Sequence, residues 1–202
     1  MSNTSKFRQI LQKHVPEAAV DYCLELWLAH PFNFKLKRPR ASKLGDYRYN
    51  PNDKSHSISV NLDLNKYSFL VTYLHEVAHL LTYKEFGRKV MPHGKEWKQN
   101  FKHVALPLLS NEVFPDPMLR ALAKYLKNPK ASSCTDPGLY KSLSAYDTEP
   151  KLFLSDVKVG EQFVLGNRVF KKQTLRRTRY VCLEVSTGKK YLISKLAQVE
   201  AA

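Results

Sequence analysis

His75-Glu76-Val77-Ala78-His79 is the stretch of this sequence whose residue types and spacing could do chemistry. On a helix, residues four apart project from one face a single turn apart, so the two imidazoles converge on one ion. Glu76 follows the first ligand by one residue and reaches beside that ion. Its carboxylate can then take a proton from a water whose pKa the ion has lowered to about 7. A hydrolytic zinc keeps one position open and takes a third protein ligand, for which His93 is the candidate. It lies just past a break in the helical pattern and before Gly94, so the chain can fold back and present it at the start of the next helix. His14 and His30 fall at the ends of earlier helices, His56 before a strand and His103 late in the following helix, positions that suit structural or exposed histidines. Imidazoles with a carboxylate base suit zinc, although the ligand types alone do not fix the ion.

The elements that must position these residues are legible in the hydrophobic periodicity. Apolar residues at helical spacing predict two opening helices, over residues 5–13 and 17–29, with Pro16 suited to a first turn. Alternation at Phe32/Phe34/Leu36, Tyr47/Tyr49 and Ile58/Val60/Leu62, punctuated by Pro39, Gly45 and the turn residues 50–53, predicts a small antiparallel sheet of about three strands. Asn65 or Asp63 caps the motif helix, whose Leu70, Leu74, Val77 and Leu81 form one apolar face to pack on that sheet. Further helices are expected near residues 94–106 and 117–126. Residues 131–150, rich in Ser, Pro, Asp and Thr, read as a linker between a domain at 1–130 and a small all-β unit at 151–202 with strands at 162–165, 168–170, 179–185 and 190–193. The fold class is α+β.

At 202 residues the chain is long enough for one good core and a small second unit. The 43% hydrophobic content and 11% aromatic content argue against disorder over most of the length. Cys23, Cys134 and Cys182 are far apart and form no CxxC pair, which excludes a disulfide framework or a four-cysteine zinc site. A polar N-terminus and the absence of an apolar run of about 18 residues lead to an expectation of cytoplasmic location with no membrane partner. Lys and Arg outnumber Asp and Glu by 33 to 18, a net charge of +15 that favours a polyanion. Lys171, Lys172, Arg176, Arg177 and Arg179, beside Tyr180, are candidates for one basic ridge that grips phosphates while aromatics stack on bases. The competing reading is a solvated hairpin that protects a sheet edge. Lys35, Lys37, Arg38, Arg40 and Lys43 form a second cluster, and Lys84, Arg88, Lys89, Lys95 and Lys98 flank the metal motif.

His75-Glu76-Val77-Ala78-His79-Leu80-Leu81, followed by His93-Gly94-Lys95-Glu96-Trp97-Lys98, resembles the SprT-like (Spartan-type) metalloprotease domain, in which HExxH is followed by a histidine in an HGxxW or HGxxF context. The resemblance covers about residues 5–127. It implies a zincin-like fold, a zinc ion on His75, His79 and His93, Glu76 as general acid/base, and a protein substrate, with DNA-bound or DNA-crosslinked proteins as one class. Members of that family often end in a zinc ribbon with two cysteine pairs; here Cys182 stands alone and the tail is expected to be metal-free. A nucleic-acid-binding module with a mainly structural metal is the alternative function, and a peptidase indifferent to DNA a third. Tyr73 and Tyr83 lie near the motif as expected packing residues.

Overall fold

The computed structural model describes residues 3–40, 43–132, 136–149 and 152–202. Two compact units divide at Thr148/Glu149. In the first, α1 (Asn3–His14) places Phe7 and Leu11 one turn apart in the core, and α2 (Val20–Ala29), entered through a 3₁₀ turn at Glu17–Ala19, adds Val20, Cys23 and Leu24. The chain then forms β1 (Asn33–Lys37), β2 (Gly45–Asn50) and β3 (Ser55–Asn61).

The sheet is mixed, a correction to the antiparallel expectation. Its order is β1-β3-β2, with β2 antiparallel and β1 parallel to β3. Two successive reversals return β3 to the direction of β1, so once β2 takes the far side of β3 the remaining neighbours must run parallel. Period-two alternation reports which face a residue occupies and is silent on strand direction.

The long helix α3 (Lys66–Phe86) starts at Asn65, whose side-chain oxygen accepts from the N–H groups of Tyr67 and Ser68. Its Nδ2 donates to the carbonyl of Leu143 at 3.0 Å and to Asp147 at 2.6 Å. Far from having one apolar face, α3 is buried round most of its circumference between α4 (Lys95–Ala105), β2, β3, α1 and α6 (Pro137–Ser144). Polar residues survive there by bonding the preceding turn: Thr72 Oγ1 donates to the Ser68 carbonyl and Thr82 Oγ1 to that of Ala78, both at 2.7 Å. The helix ends where Gly87, at φ 63°, turns the chain and its N–H reaches the Tyr83 carbonyl. α5 (Asp116–Leu126) packs against α6. Thus the stretch read as a linker contains a helix, capped by Asp136 and anchored by buried Leu139 and Leu143. Cys134, with residues 133–135 and 150 of that stretch, lies outside the described residues.

The second unit is one antiparallel sheet in the order β4 (Leu152–Phe153), β9 (Gln198–Ala201), β5 (Gln162–Leu165), β6 (Arg168–Arg176), β7 (Arg179–Glu184), β8 (Lys190–Ser194). Leu154, Val157, Phe163, Phe170, Cys182 and Val199 form its core. Among the described residues no helix is long and apolar enough to cross a membrane.

Candidate metal centre

Three imidazoles converge in the first unit. His75 and His79 sit one turn apart on α3, and His93 stands in the turn before Gly94, the residue that precedes α4. A bond from the Gly94 N–H to the Met91 carbonyl closes that turn. Trp97, fully buried on α4, fixes α4 against α3: its Nε1 donates to the His75 carbonyl at 3.4 Å, and its ring stacks on His79 and Phe101 and meets His93 edge-on.

The three Nε2 atoms are 3.1 Å (His75 to His79), 3.0 Å (His79 to His93) and 3.3 Å (His75 to His93) apart. Tetrahedral zinc with nitrogens at about 2.0–2.1 Å would space them about 3.3–3.4 Å apart, so the triangle fits such an ion with slight contraction. Protons cannot serve all three edges, because a ring nitrogen that donates cannot also accept. A cation at the centre can. Burial, aided by the neighbouring imidazoles, pushes His75 down to about 2 and His79 down to about 3, and burial also lowers His93. All three are therefore neutral at ordinary pH, with lone pairs free for an ion. This is the one such cluster among the described residues.

Glu76 is 6% exposed, yet it lines the same open cavity of about 780 Å³ as the three histidines, Gly45 and Tyr47. Burial, then the repulsion of Asp46, raises its carboxyl to about 8, opposed by a hydrogen bond from the Tyr47 backbone N–H and by Arg40 and Lys43. A cation on the imidazoles would draw it back down.

The remaining expectations divide. His14 stacks on Phe69, His56 Nδ1 meets the Tyr47 hydroxyl at 2.9 Å, and His103 is exposed; none approaches the cluster. Tyr73 is a packing residue whose hydroxyl donates to the Cys23 carbonyl, whereas Tyr83 stands on the cavity wall. Lys43 and Arg88 line the cavity, while Arg40 is engaged by Asn61 and Ser59.

In the second unit Lys171, Arg176, Arg177 and Arg179 are exposed, with Arg176 and Arg179 directly opposite across the β6–β7 hairpin. Lys172 is not among them. It is 3% exposed, and its ammonium donates to the carbonyls of Leu154 (2.7 Å), Val157 (2.5 Å) and Ser155 (3.4 Å) beneath the Tyr180 ring. Alternation along β6 turns 171 and 172 to opposite faces, so the basic run does not form one ridge. Tyr180 and Tyr191 pack against the core, so neither stands out as a platform for bases.

Strand β2 also lines the site, a part of it that the spacing of the motif does not reveal. Gly45, read as turn punctuation, presses against Glu76, and a glycine inside a strand is itself a signal of close approach.

Residues 24–113 match the SprT-like family. The chain is similar to Protein SprT of Yersinia enterocolitica, 63% identical over 30 residues, which cover 15% of this chain and 17% of that protein. Protein SprT of Glaesserella parasuis is also 63% identical over 30 residues, 15% of this chain and 19% of that protein. That of Salmonella arizonae is 75% identical over 24 residues, 12% and 14%. The chain thus aligns with less than a fifth of the length of each of these relatives. No solved structure matches the chain.

Proposed function

Residues 24–113 belong to the SprT-like family, and on that premise we propose that the protein is a zinc-dependent peptidase of zincin type acting on protein substrates. The observation that carries the reading is the buried Glu76 carboxylate, set in an open cavity beside three converging imidazoles. A metal that only braced a fold would need neither the carboxylate nor the opening. His75, His79 and His93 would hold the ion, which when bound supplies Lewis acidity to water and to the scissile carbonyl. Glu76 takes the proton of the attacking water and returns it to the leaving amine.

The edge of the sheet suits an extended chain. The Asn61 N–H donates to the Leu44 carbonyl, which makes that pair a hydrogen-bonded one; by alternation Gly45, Tyr47 and Tyr49 turn their main-chain groups away from β3. The Gly45 and Tyr47 carbonyls are thereby offered to a substrate backbone at the cavity.

DNA is proposed as a second partner, so that DNA-bound proteins are the substrates brought to the site. The net charge of +15, the cationic Lys43 and Arg88 at the cavity and the exposed Lys171, Arg176, Arg177 and Arg179 support this. Phosphate contact rather than stacking is the mode these residues allow. The test is casein cleavage by the zinc-loaded chain and by Glu76→Gln, with and without single-stranded DNA over a salt series. Cleavage by wild type alone, raised by DNA at low salt, is the expected result. DNA binding without cleavage would support the nucleic-acid module with a structural metal, and cleavage indifferent to DNA and salt would remove the DNA partner.

A further inference from the structure

Glu76 belongs to α3, but the surface that shapes its carboxylate comes from β2. An ideal Cβ placed on Gly45 would lie 2.6 Å from Glu76 Oε1, 2.8 Å from Glu76 Cγ and 2.7 Å from Thr72 Cγ2. Gly45 is not among the glycines with positive φ, so its backbone would accept any residue and space alone demands glycine. Thr72 cannot retreat easily, because its hydroxyl is pinned by its bond to the Ser68 carbonyl, so relief must come from the Glu76 side chain, which faces the cavity. Behind β2, Arg40 Nε donates to Asn61 Oδ1 at 2.8 Å and Asn61 Nδ2 donates to the Lys43 carbonyl at 3.0 Å, which ties the chain on either side of residues 41 and 42 to β3.

Two residues beyond Gly45, the Tyr47 N–H points off the open edge and donates to the Glu76 carboxylate. The strand thus offers Glu76 a flat seat at Gly45 and a single donor at Tyr47.

We propose that Gly45 and the Tyr47 main chain are positioning residues for the reaction, a cradle on β2 that fixes which way the Glu76 carboxylate faces in the metal cavity. The kinetic consequence rests on the peptidase reading; the cradle itself does not. A side chain at 45 must displace the carboxylate, and a displacement of about 1 Å costs such a group about a hundredfold in rate. None of the three atoms nearest the added Cβ belongs to a histidine, so the clash falls on Glu76 and Thr72.

The test uses the full chain loaded with zinc. For Gly45→Ala, zinc content should stay at one per chain while kcat for casein falls about 10- to 100-fold with KM little changed. Adding Thr72→Ser, which removes the Cγ2 contact and keeps the hydroxyl, should not restore kcat, because the clash with Oε1 remains. Unchanged kcat in Gly45→Ala, or full recovery in the double variant, would overturn the proposal. Amide exchange gives a second readout that needs neither activity nor the glycine variant. Glu76→Ala should speed exchange at Tyr47 while leaving Asp46 and Arg48, bonded to β3, as slow as in wild type. Equal exchange at Tyr47 in both proteins would overturn the cradle. Should wild type cleave nothing, the peptidase reading falls while this exchange result still decides the cradle.

Discussion

Lys172→Met tests how the second unit is held together and what its basic residues are for. Methionine keeps the length of the side chain and removes the ammonium, leaving the buried carbonyls of Leu154 and Val157, 2.7 and 2.5 Å from Nζ, without a donor. Each unsatisfied carbonyl costs about 1–3 kcal/mol, and the lost contact with the Tyr180 ring adds about 0.5–1 kcal/mol. Relief from burying a charge offsets part of this, so the net loss is about 3 kcal/mol. Against the stability of roughly 3–8 kcal/mol expected of a unit this size, that is a large fraction. At about 4–8 °C per kcal/mol, its melting point should fall by roughly 12–24 °C. Amide NMR of β6 and β7 on heating follows this unit, while Trp27 and Trp97 fluorescence follows the first unit and should not change. A loss below about 1 kcal/mol, or weakened DNA binding in a variant of unchanged stability, would refute the internal role of Lys172.

Asn65→Ala removes both the cap of α3 and the side-chain tie to Leu143 and Asp147, and should destabilise the first unit by about 2 kcal/mol in urea denaturation; a change under about 0.5 kcal/mol would contradict the cap. Without metal, the depressed His75 and His79 give a pH dependence of defined sign. The unfolded chain takes up protons near 6.5 while the folded chain resists until about 3 and about 2, so stability is full above about 6.5 and falls as pH drops through that window. Thermal melts of chelator-treated protein at pH 7.5 and 5 should show the loss, and a flat profile would mean that the imidazoles are not buried as described.

The convergence of His75, His79 and His93 is the most legible feature of this sequence because its geometry is local: an i, i+4 pair on a helix needs no knowledge of tertiary contacts, and His93 needs only a chain break and a following helix. The cap is legible for the same reason, down to a choice between Asn65 and Asp63 that the structure makes in favour of Asn65. What the sequence hid depends on neighbours distant along the chain. The alternation of β1 and β3 says nothing of their parallel pairing. In α6 only Leu139 and Leu143 are buried apolar residues, too few to stand out within a Ser- and Pro-rich stretch. Strands β4 and β9, two and four residues long, carry almost no alternation. Lys172 reads with its charged neighbours in the sequence, although strand parity separates it from Lys171, and the register shift between Lys172 and Leu175 breaks the pattern further. Gly45 carries the right signal but reads as a turn, because its partner Glu76 is 31 positions away and the contact exists only in the folded sheet.

The most direct measurement of the central claim is metal content of the purified full chain, wild type beside His93→Ala and Glu76→Gln, after loading with zinc and desalting. One zinc per chain is expected in wild type and in Glu76→Gln, with near-complete loss in a folded His93→Ala. A folded wild type that retains no zinc, or a His93→Ala that keeps it, would contradict the convergence of His75, His79 and His93 on one ion.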